Sequence, residues 1–162
     1  MRFNFLFKKV LDNDQVKGLL DKNYFLASVF CMPKVSNKIS IDNYSVHFYN
    51  PETNQVVSVE ASDDISISKP EDAMNIMTEL PNYKYIAPEK IASGFLKDIK
   101  EIVGNIMITL HNKEIKGKMR PVWTFMFILN TLSVLTIDAD AKTGKELLKE
   151  RSSLVQRTSR AS

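Results

Sequence analysis

The chain has 162 residues, 44% hydrophobic and 25% charged, the composition of one globular domain or two small packed halves. No apolar run reaches the ~18 residues of a membrane-spanning helix, and the start, MRFNFLFKKV, is broken by Asn4 and ended by Lys8 and Lys9, too soon for a secretory leader. That makes a cytoplasmic location the expectation. The net charge of +3 is uneven: residues 142–162 hold six basic and two acidic side chains, so the remaining 141 residues stand at −1 and lack the basic field of a nucleic-acid surface.

Residues 3–21 place Phe3, Leu6, Phe7, Val10, Leu11, Val16, Leu19 and Leu20 at helical spacing, with a break expected at Asp12-Asn13-Asp14 and Asp12 or Asp14 as the cap of the second piece. YFLASVFCM (24–32) is rich in β-forming residues, and Pro33 ends it. ISIDNYSVHFYN (39–50) alternates, with Tyr44, Val46 and Phe48 on one face and Ser45, His47 and Tyr49 on the other. PETN (51–54) is a turn and QVVSVEA (55–61) the returning strand. SKPEDAMNIMTEL (68–80) opens with a Ser68/Glu71 capping box and predicts a helix with Ala73, Met74, Met77 and Leu80 inward. A second helix starts at Pro88, carries Ile91, Phe95, Ile99, Ile102 and Val103, and ends at Gly104. Three strands follow: 105–112, 121–130 and 132–141. The expected loop KEIKGKMR separates the first two, and Asn130 and Thr131 form a tight hairpin between the last two. Trp123, Phe125, Phe127 and Leu129 share one face, as do Leu135, Ile137, Ala139 and Ala141. Met126 and Ile128, on the second face, suggest a sheet covered on both sides.

YSVHFYNPETNQVV (44–57) lies over VLTIDADAKTGKEL (134–147) at a constant offset of 90. Asn50 falls on Asp140, Thr53 on Thr143, Asn54 on Gly144 and Val57 on Leu147, and Asn and Gly are the residues that best enter the left-handed region. Helix–strand–strand–strand then reads twice. The expected fold class is α+β: two repeated helix–antiparallel-sheet (αβββ) modules, 1–64 and 65–150, with helices on one face of each sheet and 151–162 as a flexible basic tail.

The C-terminal sixty residues resemble a PepSY-type domain. The resemblance rests on Trp123 in one strand, then Asp140, Ala141, Lys142, Thr143 and Gly144 at the end of the next, with Leu147 past the turn; NPETNQVV is a weaker echo. It implies a helix followed by an antiparallel sheet and a role in binding or restraining peptidases. It carries over no catalytic residue.

Other chemistry is tested by spacing. A calcium loop counted from Asp138 puts Lys142 and Lys149 where carboxylates belong. KTGKE lacks the first glycine and the final Ser/Thr of a phosphate loop. His47 and His111 read as surface or edge positions, and two His and one Cys give no zinc spacing. Cys31 reads as a buried free thiol, though a Cys–His nucleophile pair stays open. Met74, Met77, Met107, Met119 and Met126 read as core filling, and HNKEIKGKMR as a solvated basic loop. No catalytic, cofactor-binding or metal-binding residue is assigned, and no cofactor is expected. The leading expectation is a non-enzymatic protein- or peptide-binding module, modulating a peptidase in one version, with a homodimer open. The alternative is a small-ligand protein using a helix–sheet pocket at Trp123, Phe125, Phe127, Tyr44 and Phe48. Nucleic-acid binding through the tail ranks last.

Overall fold

The computed structural model describes residues 2–36, 38–81 and 83–154, apart from the Arg2 side chain. The N-terminal helical pattern forms α1 (Arg2–Leu11) and α2 (Asp14–Asp21). Asn13 caps the second: its Oδ1 accepts from Gln15 N and Val16 N at 2.9 and 3.2 Å. The break falls where expected, but the capping side chain is the amide between the two aspartates.

The strands are β1 (Phe25–Cys31), β2 (Lys34–Val35), β3 (Ile39–Ser40), β4 (Tyr44–Asn50), β5 (Gln55–Ala61), β6 (Ile65–Ile67) and β7 (Glu71–Asp72). After α3 (Pro88–Leu96) come β8 (Val103–Ile115), β9 (Lys118–Leu129), β10 (Ser133–Asp140) and β11 (Glu146–Ser153). Nine of them form one antiparallel sheet in the order β11-β10-β9-β8-β1-β4-β5-β6, with β7 beside β5; β2 and β3 pair separately.

This single sheet overturns the two repeated αβββ modules. β1 pairs with β8 through Ser28↔His111, Val29↔Leu110, Phe30↔Thr109 and Cys31↔Ile108, so strands from both halves share one ladder. An edge left open on either would leave backbone groups unpaired, and joining them satisfies both. The helix count fails as well. Residues 68–80 form no helix. Ser68 N donates to Ser58 O and Ser58 N donates to Ser68 Oγ, both at 2.9 Å. Glu71 and Asp72 then pair with Val56 and Gln55, and Ala73 N reaches Asn54 O at 2.9 Å. A capping box is worth about 1 kcal/mol, less than the run of ladder bonds that displaces it. Of the four residues expected inward, only Leu80 is buried, and Met74 is 96% exposed.

α3 also stops early, at Leu96. Ile102 is 70% exposed, Val103 already pairs with Leu129, and Gly104 lies at a bulge in β8 rather than at a helix cap. KEIKGKMR is no loop. β8 and β9 run on to a two-residue turn of Lys116 and Gly117, at φ 54° and 79°, as a type I′ hairpin requires.

One face of the sheet is the core: Val46, Phe48, Val29, Leu110, Trp123, Phe125, Phe127 and Ile137 are each at most 1% exposed. α1 and α3 cover that face. Phe3 packs on Phe7, Tyr44 and Trp123 with centroids 5.1–5.3 Å apart, and Phe95 packs edge-on to Phe125 at 5.4 Å. The other face carries His47, Ser28, His111, Thr124 and Asp138. Met126 and Ile128 there are half-buried, so the second face is only partly covered.

The two turns matched in sequence are built alike. Asn50 Oδ1 accepts from Glu52 N and Thr53 N, and Asp140 Oδ1 from Lys142 N and Thr143 N. Asn54 and Gly144 follow at φ 53° and 79°. The likeness is one of Asx-turn chemistry.

Candidate functional site

The segment between β7 and α3 shapes a concave surface beside α1 and α3. Leu80 N donates to Leu26 O at 2.8 Å, anchoring the segment at one end of the sheet. Ile86 N donates to Ala141 O and Trp123 Nε1 donates to Ile86 O, both at 2.9 Å, anchoring it beside the β10–β11 turn. Between these anchors Tyr85 is buried against Phe7, and its hydroxyl donates to Pro81 O. Burial pushes the Tyr85 phenol up to about 12.

Two adjoining grooves result, sharing Asn4 and Lys84. One, of about 460 Å³, lies between α1 and the start of α3 and is lined by Tyr85, Ile86, Lys84, Lys90, Lys142 and Glu89. The other, of about 650 Å³, runs along α1 and α2 past Phe7, Leu11, Leu20, Lys8 and Lys17, with Asp12 on its wall. The floor is apolar and the walls carry five lysines against two carboxylates. One of those carboxylates, Glu89, is held by the Tyr44 hydroxyl. Lys142 Nζ sits 3.5 Å from the Tyr83 ring centroid, a cation–π contact that fixes the ammonium on the rim.

A second polar grouping crosses the open face. Thr124 Oγ1 donates to Asp138 Oδ1 at 2.6 Å, and Lys113 Nζ donates to Asp138 Oδ2 at 2.7 Å. The single hydroxyl proton of Thr124 is directed at Asp138, so the Thr124 oxygen accepts from His111 Nε2 at 3.0 Å. Neutral His111 thereby carries its proton on Nε2. His47 Nδ1 and Ser28 Oγ share a hydrogen at 2.9 Å. Both histidines lie in interior strands and are half-buried, not at the surface or edge expected of them. Burial lowers both below the ordinary histidine range. For His111 the Lys113 charge adds to this and Asp138 opposes it; for His47 Glu60 opposes it.

Cys31 is 3% exposed, and burial, with the Glu89 charge, pushes its thiol well above the ordinary range. An inert thiol follows. The aromatic cluster chosen for a ligand pocket is packed instead: Trp123, Phe125, Phe127 and Phe48 are fully buried and Tyr44 is 2% exposed. None of the five methionines read as core filling is buried; Met107 and Met126 are half-buried on the open face. Among the described residues no three His, Cys, Asp or Glu side chains come together as metal ligands. Asp140 and Thr143, tested for ions, build the turn. Residues 151–153 of the expected tail belong to β11, and 155–162 lie outside the described residues. The sequence missed the lysine groove because its walls come from residues 4, 8, 17, 84, 90 and 142, which no local pattern links.

No helix among the described residues is long and apolar enough to cross a membrane. No family model matches the chain, and no curated protein matches it. The PepSY resemblance of the C-terminal strands is therefore not extended to membership. Among solved structures the fold is similar to a crystal structure described as a "putative lipoprotein" from Clostridium difficile 630, with 14% identity and a TM-score of 0.54 over 86% of this chain and 91% of that one. At that identity the likeness is one of fold.

Proposed function

We propose that the protein is a non-enzymatic binding module whose lysine-walled groove takes an acidic, extended segment of a partner protein. The observation that carries this reading is Lys8, Lys17, Lys84, Lys90 and Lys142 around an apolar floor, in a body that otherwise has no excess of positive charge. Such a wall attracts carboxylates at long range and lets their apolar neighbours settle on Ile86, Leu11 and Leu20. A peptidase as that partner, which the PepSY resemblance implies, belongs to the same proposal. So does the cytoplasmic location, which recovery in a membrane or secreted fraction would refute.

The test is titration of a short synthetic peptide alternating glutamate and leucine. Binding is expected to weaken as salt rises, and the double variant Lys84→Glu/Lys142→Glu to lose at least tenfold in affinity. An unchanged affinity in that variant would refute the groove as the site.

A further inference from the structure

The two outer strands of the sheet are built differently. On one side the edge is β6 and β7, three and two residues long, separated by a stretch containing Pro70, which has no N–H to offer. On the other side β11 runs for eight residues and is the outermost strand of the described sheet. Beside the turn that starts β11, a hollow of about 430 Å³ opens between that turn and α3. Ile91 and Phe95 form its apolar side, Lys90 and Asp98 its charged rim, and Thr143 and Gly144 its sheet side. A strand edge that is outermost among the described residues, next to a helix-flanked hollow, is the geometry in which an extended peptide adds a strand and places alternate side chains against the helix.

We infer that β11 accepts an extended segment of a different protein as an additional antiparallel strand, with acidic side chains on the helix side. The charge pattern of β11 disfavours a second copy as the occupant. A two-fold axis perpendicular to the sheet keeps the two faces apart, so each such register is centred on one residue. Centring on Leu147 sets Lys145 against Lys149; on Leu148, Glu146 against Glu150; on Glu146, Lys149, Glu150 or Arg151, that residue against itself; and centring on Ser152 or Ser153 pairs at most three residues of the strand. Like charges directly opposite destabilise a strand pair. The helix side of β11 is set by its register: Lys149 lies opposite Ile137 and Arg151 opposite Leu135, both core-facing residues. Arg151 is paired with Glu101 at 2.9 Å, so Lys149 and Lys90 are the cations that select acidic residues on this side. The hollow shares Lys90 and Ile86 with the lysine groove, whereas the test changes only Lys149 and the probe and leaves that groove intact.

The probe is an eight-residue synthetic peptide with aspartate opposite Lys149, lysine opposite Glu150 and leucine towards Ile91 and Phe95. Two derivatives carry N-methyl groups, one on the alternate amides that face β11 and one on those that face away. The parent peptide is expected to bind, the first derivative at least tenfold more weakly, the second equally well. Lys149→Glu is expected to weaken the parent peptide as strongly as the first derivative. Absence of parent binding, a loss below tenfold on methylating the inward amides, or an unchanged affinity in Lys149→Glu overturns the inference.

Discussion

Replacing Lys113 by methionine separates a buried ion pair from an exposed one. Lys113 and Asp138 lie 2.7 Å apart, but their side chains are 38% and 4% exposed, so the lysine meets water and the carboxylate does not. An exposed pair contributes about 0–1 kcal/mol. Removing one partner of a buried pair costs about 3–5 kcal/mol, because a charge is left uncompensated. Lys113→Met leaves Asp138 its Thr124 hydrogen bond but no counter-ion, and the half-exposed lysine end admits some water. The expected cost therefore falls below the full buried value, at about 2–3 kcal/mol. Lys34 and Asp42 supply the control: they are 2.9 Å apart but 81% and 62% exposed, and Lys34→Met should cost under about 0.5 kcal/mol. Urea unfolding reads both as midpoint shifts at constant slope. If Lys113→Met proves no more costly than Lys34→Met, the buried-carboxylate argument is wrong.

Phe3→Ala removes the ring that joins α1 to Tyr44 and Trp123, and should cost about 3–5 kcal/mol in the same assay; a loss under about 1 kcal/mol would mean that α1 is not part of the cooperative core. The histidines give a pH dependence. Their folded pKa values lie below the unfolded value, so the unfolded chain binds more protons as pH falls through about 6.5, and stability should drop from there downward. The drop should shrink in His111→Asn, and an equal slope in that variant refutes the assignment. Gly144→Ala places a methyl group 3.5 Å from Ile86 and Ile91 at φ 79°; the space is ordinary contact, so the cost is the left-handed backbone, about 1–2 kcal/mol, seen as a lowered Tm. Cys31 should react with a thiol reagent only at the global unfolding rate, and prompt labelling of the native protein would show that its burial is not maintained.

Much of the fold was legible locally, because side-chain alternation and turn chemistry act over a few residues. QVVSVEA is β5 as read, the core faces of β9 and β10 are those that alternation indicated, and Asn50 and Asp140 make the turns their types suit. The failures share a cause. SKPEDAMNIMTEL satisfies every local rule for a helix start, yet its backbone groups found partners on β5, about ten to twenty residues back in sequence. The histidines looked superficial because a strand pattern does not say whether its strand lies inside the sheet or at its edge.

The sequence by itself determined the central strands β4, β5, β9 and β10, the faces β9 and β10 bury and the turns at Asn50 and Asp140, since each follows from short-range sterics and from the period-two burial of apolar groups. Only the tertiary structure decided that β1 would pair with β8 and merge the halves into one sheet, for that pairing satisfies edges eighty residues apart. The same merger brought lysines from α1, α2, α3 and the β10–β11 turn around one floor, and left β11 as the long outer edge.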